Sequence, residues 1–224
     1  LAQLLTQFIF DTGLQLGLTT RTPRQAWELA FKESHIWTSL VESRLLTGDE
    51  TLFHRFLEGF RRRAQRRHRS AILAISKARR EEQQQWGGTV YLLKPNIKRS
   101  RGGLRDLQLI RWIGFVRYGQ SSPEQLMRKG QMSREDREHL REAHEFLLRL
   151  RNELHIHAGQ SQGHLDRAEQ VRIAELLGYT PDEHLLPIEQ FMREYFKHTS
   201  QVRDIATHFQ ASTRTDNRLR KLLA

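Results

Sequence analysis

Residues Tyr91–Asp106 read YLLKPNIKRSRGGLRD, and their interpretation decides how the rest of the chain is organised. A short β-like run, Thr89–Leu93, stops at Pro95. A basic loop with Lys98, Arg99 and Arg101 follows, then the pair Gly102–Gly103, then a helical pattern opening on Leu104. Backbone N–H groups at a helix start point outward and the macrodipole favours an anion there. Paired glycines also serve as a plain turn, because they tolerate backbone angles other residues avoid. A phosphate-facing loop and a structural turn are therefore both open readings of these residues.

Downstream of Gly103 the pattern is helical throughout. Leu104, Leu107, Ile110, Ile113 and Val116 form one stripe that ends near Gly119. Ser133 is placed to cap a long helix with a stripe of Leu140, Ala143, Leu147, Leu150 and Leu154. A shorter helix is predicted from Asp166 to Leu177, closing at Gly178, and a last long one from about Asp182 to Gln210. From Ser212 the chain reads as a polar, loose tail. Upstream, Leu1–Phe10 reads as the end of a helix, and Leu14–Thr22 as a short strand. Thr22-Pro23 opens a helix over Arg24–Thr47, and Asp49 caps another that continues to Trp86. Its polar face carries Arg61, Arg62, Arg63, Arg66, Arg67 and Arg69.

Composition narrows the function classes. The 224 residues carry a formal charge of +11, which implies an anionic partner: a nucleotide, a nucleic acid or an acidic protein. No run approaches the roughly 18 apolar residues of a membrane span. The absence of cysteine removes disulfides and thiolate metal sites, and fits a cytoplasmic setting. The first residue is Leu1, and the opening reads as the middle of an element, so the sequence is expected to be a piece of a longer polypeptide.

Most chemical constellations are missing. The 11 histidines include no HExxH and no His-Asp dipeptide, and His155 and His157 diverge on a helix, so no metal site is predicted from them. Nucleotidyl transfer needs carboxylates that hold Mg²⁺ against a triphosphate, commonly two at i and i+2 on a strand. No Asp-x-Asp occurs, and Asp136-x-Glu138 lies in a helical segment where such a pair splays apart. The arginine-rich face lacks interleaved aromatics for base stacking, so nucleic-acid binding ranks last among the anionic partners.

With these motifs in hand, the chain resembles a known family. YLLKPNIKRSRGGLRDLQLIRW is similar to the segment LEPxIKxxxGGLRDxxxxxW of the bifunctional uridylyltransferase/uridylyl-removing enzymes that modify the PII nitrogen-signalling protein. GLQLGLTTRT and TSLVESRLLTGDETLF upstream, and FLLRLRNELHIHAG and IEQFMREYFKHTSQV downstream, extend the resemblance collinearly from about Asp11 to Val202. The resemblance implies a transferase that uses UTP and Mg²⁺, a PII-like regulatory protein as partner, and further hydrolase and sensing domains. It implies a mainly α fold, a helical bundle with a small β remnant of a nucleotidyltransferase-like sheet. Residues 1–103 would be the rear of the nucleotidyltransferase-like domain, 104–211 the helical domain, and 212–224 a tail or linker.

Carried over residue by residue, the resemblance makes Lys98, Gly102, Gly103 and Arg105 phosphate- or nucleotide-facing. Asp106 would be structural at the loop–helix junction, and no residue of this chain is assigned as catalytic or as a metal ligand. One departure stands out. Where the family has the glutamate of L-E-P, this chain has Lys94, whose ammonium repels Mg²⁺. The expected function is therefore a segment of a PII uridylyltransferase, inactive by itself. The alternative is a catalytically degenerate module that binds nucleotide or a regulatory partner without turnover.

Overall fold

The computed structural model describes residues 2–13 and 17–222, and they are mainly α-helical. Among them are ten helices: α1 (Ala2–Asp11), α2 (Pro23–Ala30), α3 (Ser34–Val41), α4 (Glu50–Arg66), α5 (His68–Trp86), α6 (Leu104–Tyr118), α7 (Pro123–Arg128), α8 (Arg134–Ala158), α9 (Arg167–Leu176) and α10 (Pro187–Leu222). The chain divides into two compact units, Leu1–Phe60 and Arg61–Ala224.

In the first unit, Thr22 and Gln25 form a reciprocal capping box and Pro23 occupies the first turn, as their order predicts. The single helix expected over Arg24–Thr47 is instead two, α2 and α3, separated by a turn at Phe31–Glu33. The turn lets Phe31 and Trp37 both meet the buried Phe60, at ring separations of 6.2 and 5.6 Å. Burying three aromatic rings together outweighs the helical hydrogen bonds given up at the turn. Asp49 caps α4 by accepting the Leu52 N–H at 3.0 Å, as expected. Of the short strand expected at Leu14–Thr22, Leu14–Leu16 lie outside the described residues, and 17–22 carry no strand.

In the second unit α6 is central. Leu104, Leu107, Leu109, Ile110, Trp112, Ile113, Phe115 and Val116 are all buried, so the helix is covered on every side rather than along the one predicted stripe. It packs against α5, α7, α8 and α10. The α8 stripe is buried in full, and Ser133 caps the helix through the Asp136 N–H. Asp166 caps α9 in the same way.

The helix expected from Asp49 to Trp86 is two, α4 and α5, parted at Arg67, and two further predicted boundaries move. The Asp182 carboxylate accepts the N–H groups of His184 and Leu185 in a turn, and the last helix waits for Pro187, a residue suited to a first turn. That helix then runs to Leu222, through the segment expected to be a loose tail. The β-like run Thr89–Leu93 forms no strand: Tyr91 and Leu93 are exposed, and among the described residues no second strand offers a ladder. Among those residues the β remnant reduces to one antiparallel bridge, Asn96 with His164.

Candidate functional site

Pro95–Asp106 is a tightly bonded loop. The Asn96 side chain accepts the N–H groups of Lys98 and Arg99, at 3.1 and 2.9 Å, which bends the chain back on itself. The Ser100 hydroxyl accepts the Asn96 N–H, and the Ser100 N–H returns to the Asn96 carbonyl. Outside the loop, the Ile97 N–H donates to the Gly163 carbonyl and the Leu165 N–H to the Pro95 carbonyl, both at 2.8 Å.

A buried arginine fixes this loop to α6. Arg79 of α5 donates from Nε to Asp106 Oδ1 at 2.6 Å and from Nη1 to Glu82 at 2.8 Å. It also reaches the carbonyls of Arg99 and Ser100. The other Asp106 oxygen accepts the Gly102 N–H at 2.7 Å. Side-chain exposure is 3% for Arg79 and 4% for Asp106, so this pair is held almost entirely out of water. Sequence reasoning missed Arg79. Its signal was present: the residue follows Ile72 and Ile75 on the face of α5 that is buried.

These bonds change the reading of the helix start. The N–H groups of Gly102, Gly103, Leu104, Arg105 and Asp106 all donate within the chain, to Asp106, Ser100, Ile97, Lys98 and Gly103 respectively. Gly102 has φ +77°, and a Cβ there would stand 2.0 Å from the Thr199 carbonyl of α10. A Cβ on Gly103 would meet the Ile97 carbonyl at 2.5 Å. Both glycines are buried and allow close backbone packing; the amides beside them are not turned toward an external anion.

The cationic side chains are arranged differently. Lys98 is half-buried, and burial, followed by the charges of Arg105, Arg151 and Arg99, holds its pKa below the ordinary lysine value, with Glu82 opposing. Arg105 lies 3.5 Å and Arg99 3.9 Å from Glu82, which Arg79 already engages. The Arg99 guanidinium sits 4.6 Å from the centre of the Trp86 ring, and Arg105 5.5 Å from that of Trp112. The fold thus brings Lys98 and Arg105 together, adds Arg99 beside Glu82 and Arg151 within reach of Lys98, and leaves the cations in excess there. Lys94 is exposed and takes part in none of these bonds.

Mg²⁺ does not fit this set. The Asp106 carboxylate is engaged by a guanidinium and an amide, and Glu82 lies among arginines. Among the described residues no group of three or more histidine, aspartate or glutamate side chains is placed to hold a metal ion. No helix among them is long and apolar enough to cross a membrane.

Fold and site together define a class: an all-helical module with a basic loop braced by a buried arginine–aspartate pair. The GlnD PII-uridylyltransferase family matches residues 70–210, and the chain belongs to that family. It is similar to the bifunctional uridylyltransferase/uridylyl-removing enzyme of Pseudomonas syringae pv. syringae, with 31% identity over 93% of this chain and 24% of the relative. The same-named enzyme of Bradyrhizobium diazoefficiens is 31% identical over 87% of this chain and 21% of its own length. That of Burkholderia thailandensis is 35% identical over 88% and 23%. The chain therefore spans about a fifth to a quarter of the length of the curated relatives it matches. No solved structure matches it.

Proposed function

We propose that this chain is the helical segment of a PII uridylyltransferase, in which Lys98 and Arg105 face the phosphates of UTP while UMP passes to a tyrosine of a PII-like regulatory protein. The observation that carries this reading is the gathering of Lys98, Arg99 and Arg105 near Glu82, with Arg151 close enough to act on Lys98. In such a transfer the tyrosine oxygen bonds to the α-phosphorus as the bond to pyrophosphate breaks, and negative charge grows on the leaving group. Fixed cations aimed at that charge lower the barrier. Lys98, its proton affinity lowered first by burial and then by Arg105, Arg151 and Arg99, regains favourable interactions when an anion arrives. Gly102 and Gly103 shape the loop from beneath, and Asp106 with Arg79 holds it rigid. The setting proposed is the cytoplasm.

A second reading has its own support. Lys94 stands where the family has a glutamate, and Asp106 is fully engaged by Arg79 and Gly102. A module that binds nucleotide without turnover fits those facts. UTP labelled at its α-phosphate, incubated with a PII acceptor and a polypeptide carrying this segment, separates the two. Label on PII that falls about a hundredfold in K98→Gln or R105→Gln supports transfer. UTP binding with no label on PII supports the binding module.

A further inference from the structure

A second basic site lies apart from the loop, in a cavity of about 320 Å³ bounded by α6, α7 and α8. Four arginines line it: Arg111 from α6, and Arg137, Arg141 and Arg151 from α8. The three on α8, with His144, follow one another at spacings of four, three and seven residues, which puts them on one face of the helix. Like charges so placed repel, and helix stability does not explain them. Their local counter-charges are neighbours along the helix, Glu138 for Arg137 and Glu145 and Glu142 for Arg141, and none of these carboxylates lines the cavity.

The one carboxylate in the lining is Glu124. It accepts the Ser122 hydroxyl at 2.5 Å and is held ionised by that bond first, with Arg137 and Arg111 adding to the effect. One carboxylate against four guanidinium groups leaves a net positive cavity. Arg137 donates from Nη2 to Glu138 at 3.1 Å, outside the lining, and a guanidinium has further N–H donors to offer an anion in the cavity. The floor is apolar, built from Leu104, Leu107 and Leu140. The volume lies at the lower end of the range for small-molecule sites.

We propose that this cavity binds a small organic phosphate of mononucleotide size, its phosphate held by Arg137, Arg141 and Arg111 and its flat body laid on the leucines. Planar guanidinium groups suit a phosphate because each offers two parallel donors. The site goes beyond the loop reading, since Lys98 and Arg105 do not line it. Arg151 connects the two: it lines the cavity and contributes to the charge field at Lys98.

Calorimetric titration of the 224-residue chain with UMP, uridine and inorganic phosphate tests it, with R137→Gln, R141→Gln and K98→Gln as variants and circular dichroism as the check on folding. R141→Gln is the decisive variant, because Arg141 is 47% exposed and its loss leaves the packing intact. UMP binding that weakens roughly tenfold in R137→Gln and in R141→Gln, but far less in K98→Gln, supports the proposal. Uridine binding much more weakly than UMP supports the phosphate as the anchor. No UMP binding, equal binding of UMP and uridine, or weakening only in K98→Gln overturns it. The loop reading fails independently, if UTP-dependent labelling ignores K98→Gln and R105→Gln.

Discussion

Arg79 is the residue on which the loop depends most. It satisfies Asp106, Glu82 and two loop carbonyls at once, and a lysine cannot reproduce that planar fork. Removing it strands a buried carboxylate, so R79→Met is expected to lower stability by about 3–5 kcal/mol in chemical denaturation. In the double variant R79→Met/D106→Leu both charges are gone, and the loss should be smaller than the two single losses added together. Lys98 works in the opposite direction. Its folded pKa lies below its unfolded value, so the unfolded chain binds the proton more readily and stability rises with pH towards 10.5, the ordinary lysine value. At neutral pH the charged lysine therefore destabilises the fold, and K98→Gln should raise the melting temperature there while weakening anion binding. A variant that melts no higher than the parent would show that burial and the neighbouring cations do not burden Lys98.

Among the elements, α10 and α8 carry the most testable consequences. Gly102 touches the α10 backbone at Thr199, with left-handed φ. G102→Ala is expected to cost roughly 2–5 kcal/mol, combining backbone strain with overlap, as measured by urea unfolding. On α10, His198 is buried beside Phe146, with ring centres 4.7 Å apart, and burial holds its pKa below 6.5. Its neutral ring stabilises the fold fully above pH 6.5, and that contribution is lost as pH falls through the lower folded value. H198→Leu should flatten the acid side of the stability–pH curve; an unchanged curve would assign acid sensitivity to other groups. The helices themselves were largely legible, because amphipathic stripes and side-chain caps at Thr22, Asp49, Ser133 and Asp166 are local signals. The split between α2 and α3 was not, since it depends on Phe31, Trp37 and Phe60 meeting across the chain. The missing strand at Thr89–Leu93 has the same cause: β-propensity reports residues that suit a sheet, and a sheet also requires a partner.

At the scale of the whole molecule, the candidate site was half visible in the sequence. Lys98, Gly102, Gly103, Arg105 and Asp106 stood out through spacing and resemblance. What spacing cannot give is direction: the glycine amides turn inward, while Lys98, Arg99 and Arg105 gather with Arg151 from α8. The loop is held by a scaffold that buries one arginine, Arg79, beneath the cations it presents. Under the proposed function Lys98 and Arg105 contact the phosphates of UTP. Its most direct test is the dissociation constant of UTP for the chain, its K98→Gln and R105→Gln variants, and the double variant, at low and high salt. The expected result is roughly tenfold weaker binding for each single variant, a further loss in the double, and a shallower salt dependence in all three, with the helical circular dichroism unchanged. UTP affinity and salt dependence that stay the same in the double variant would contradict it.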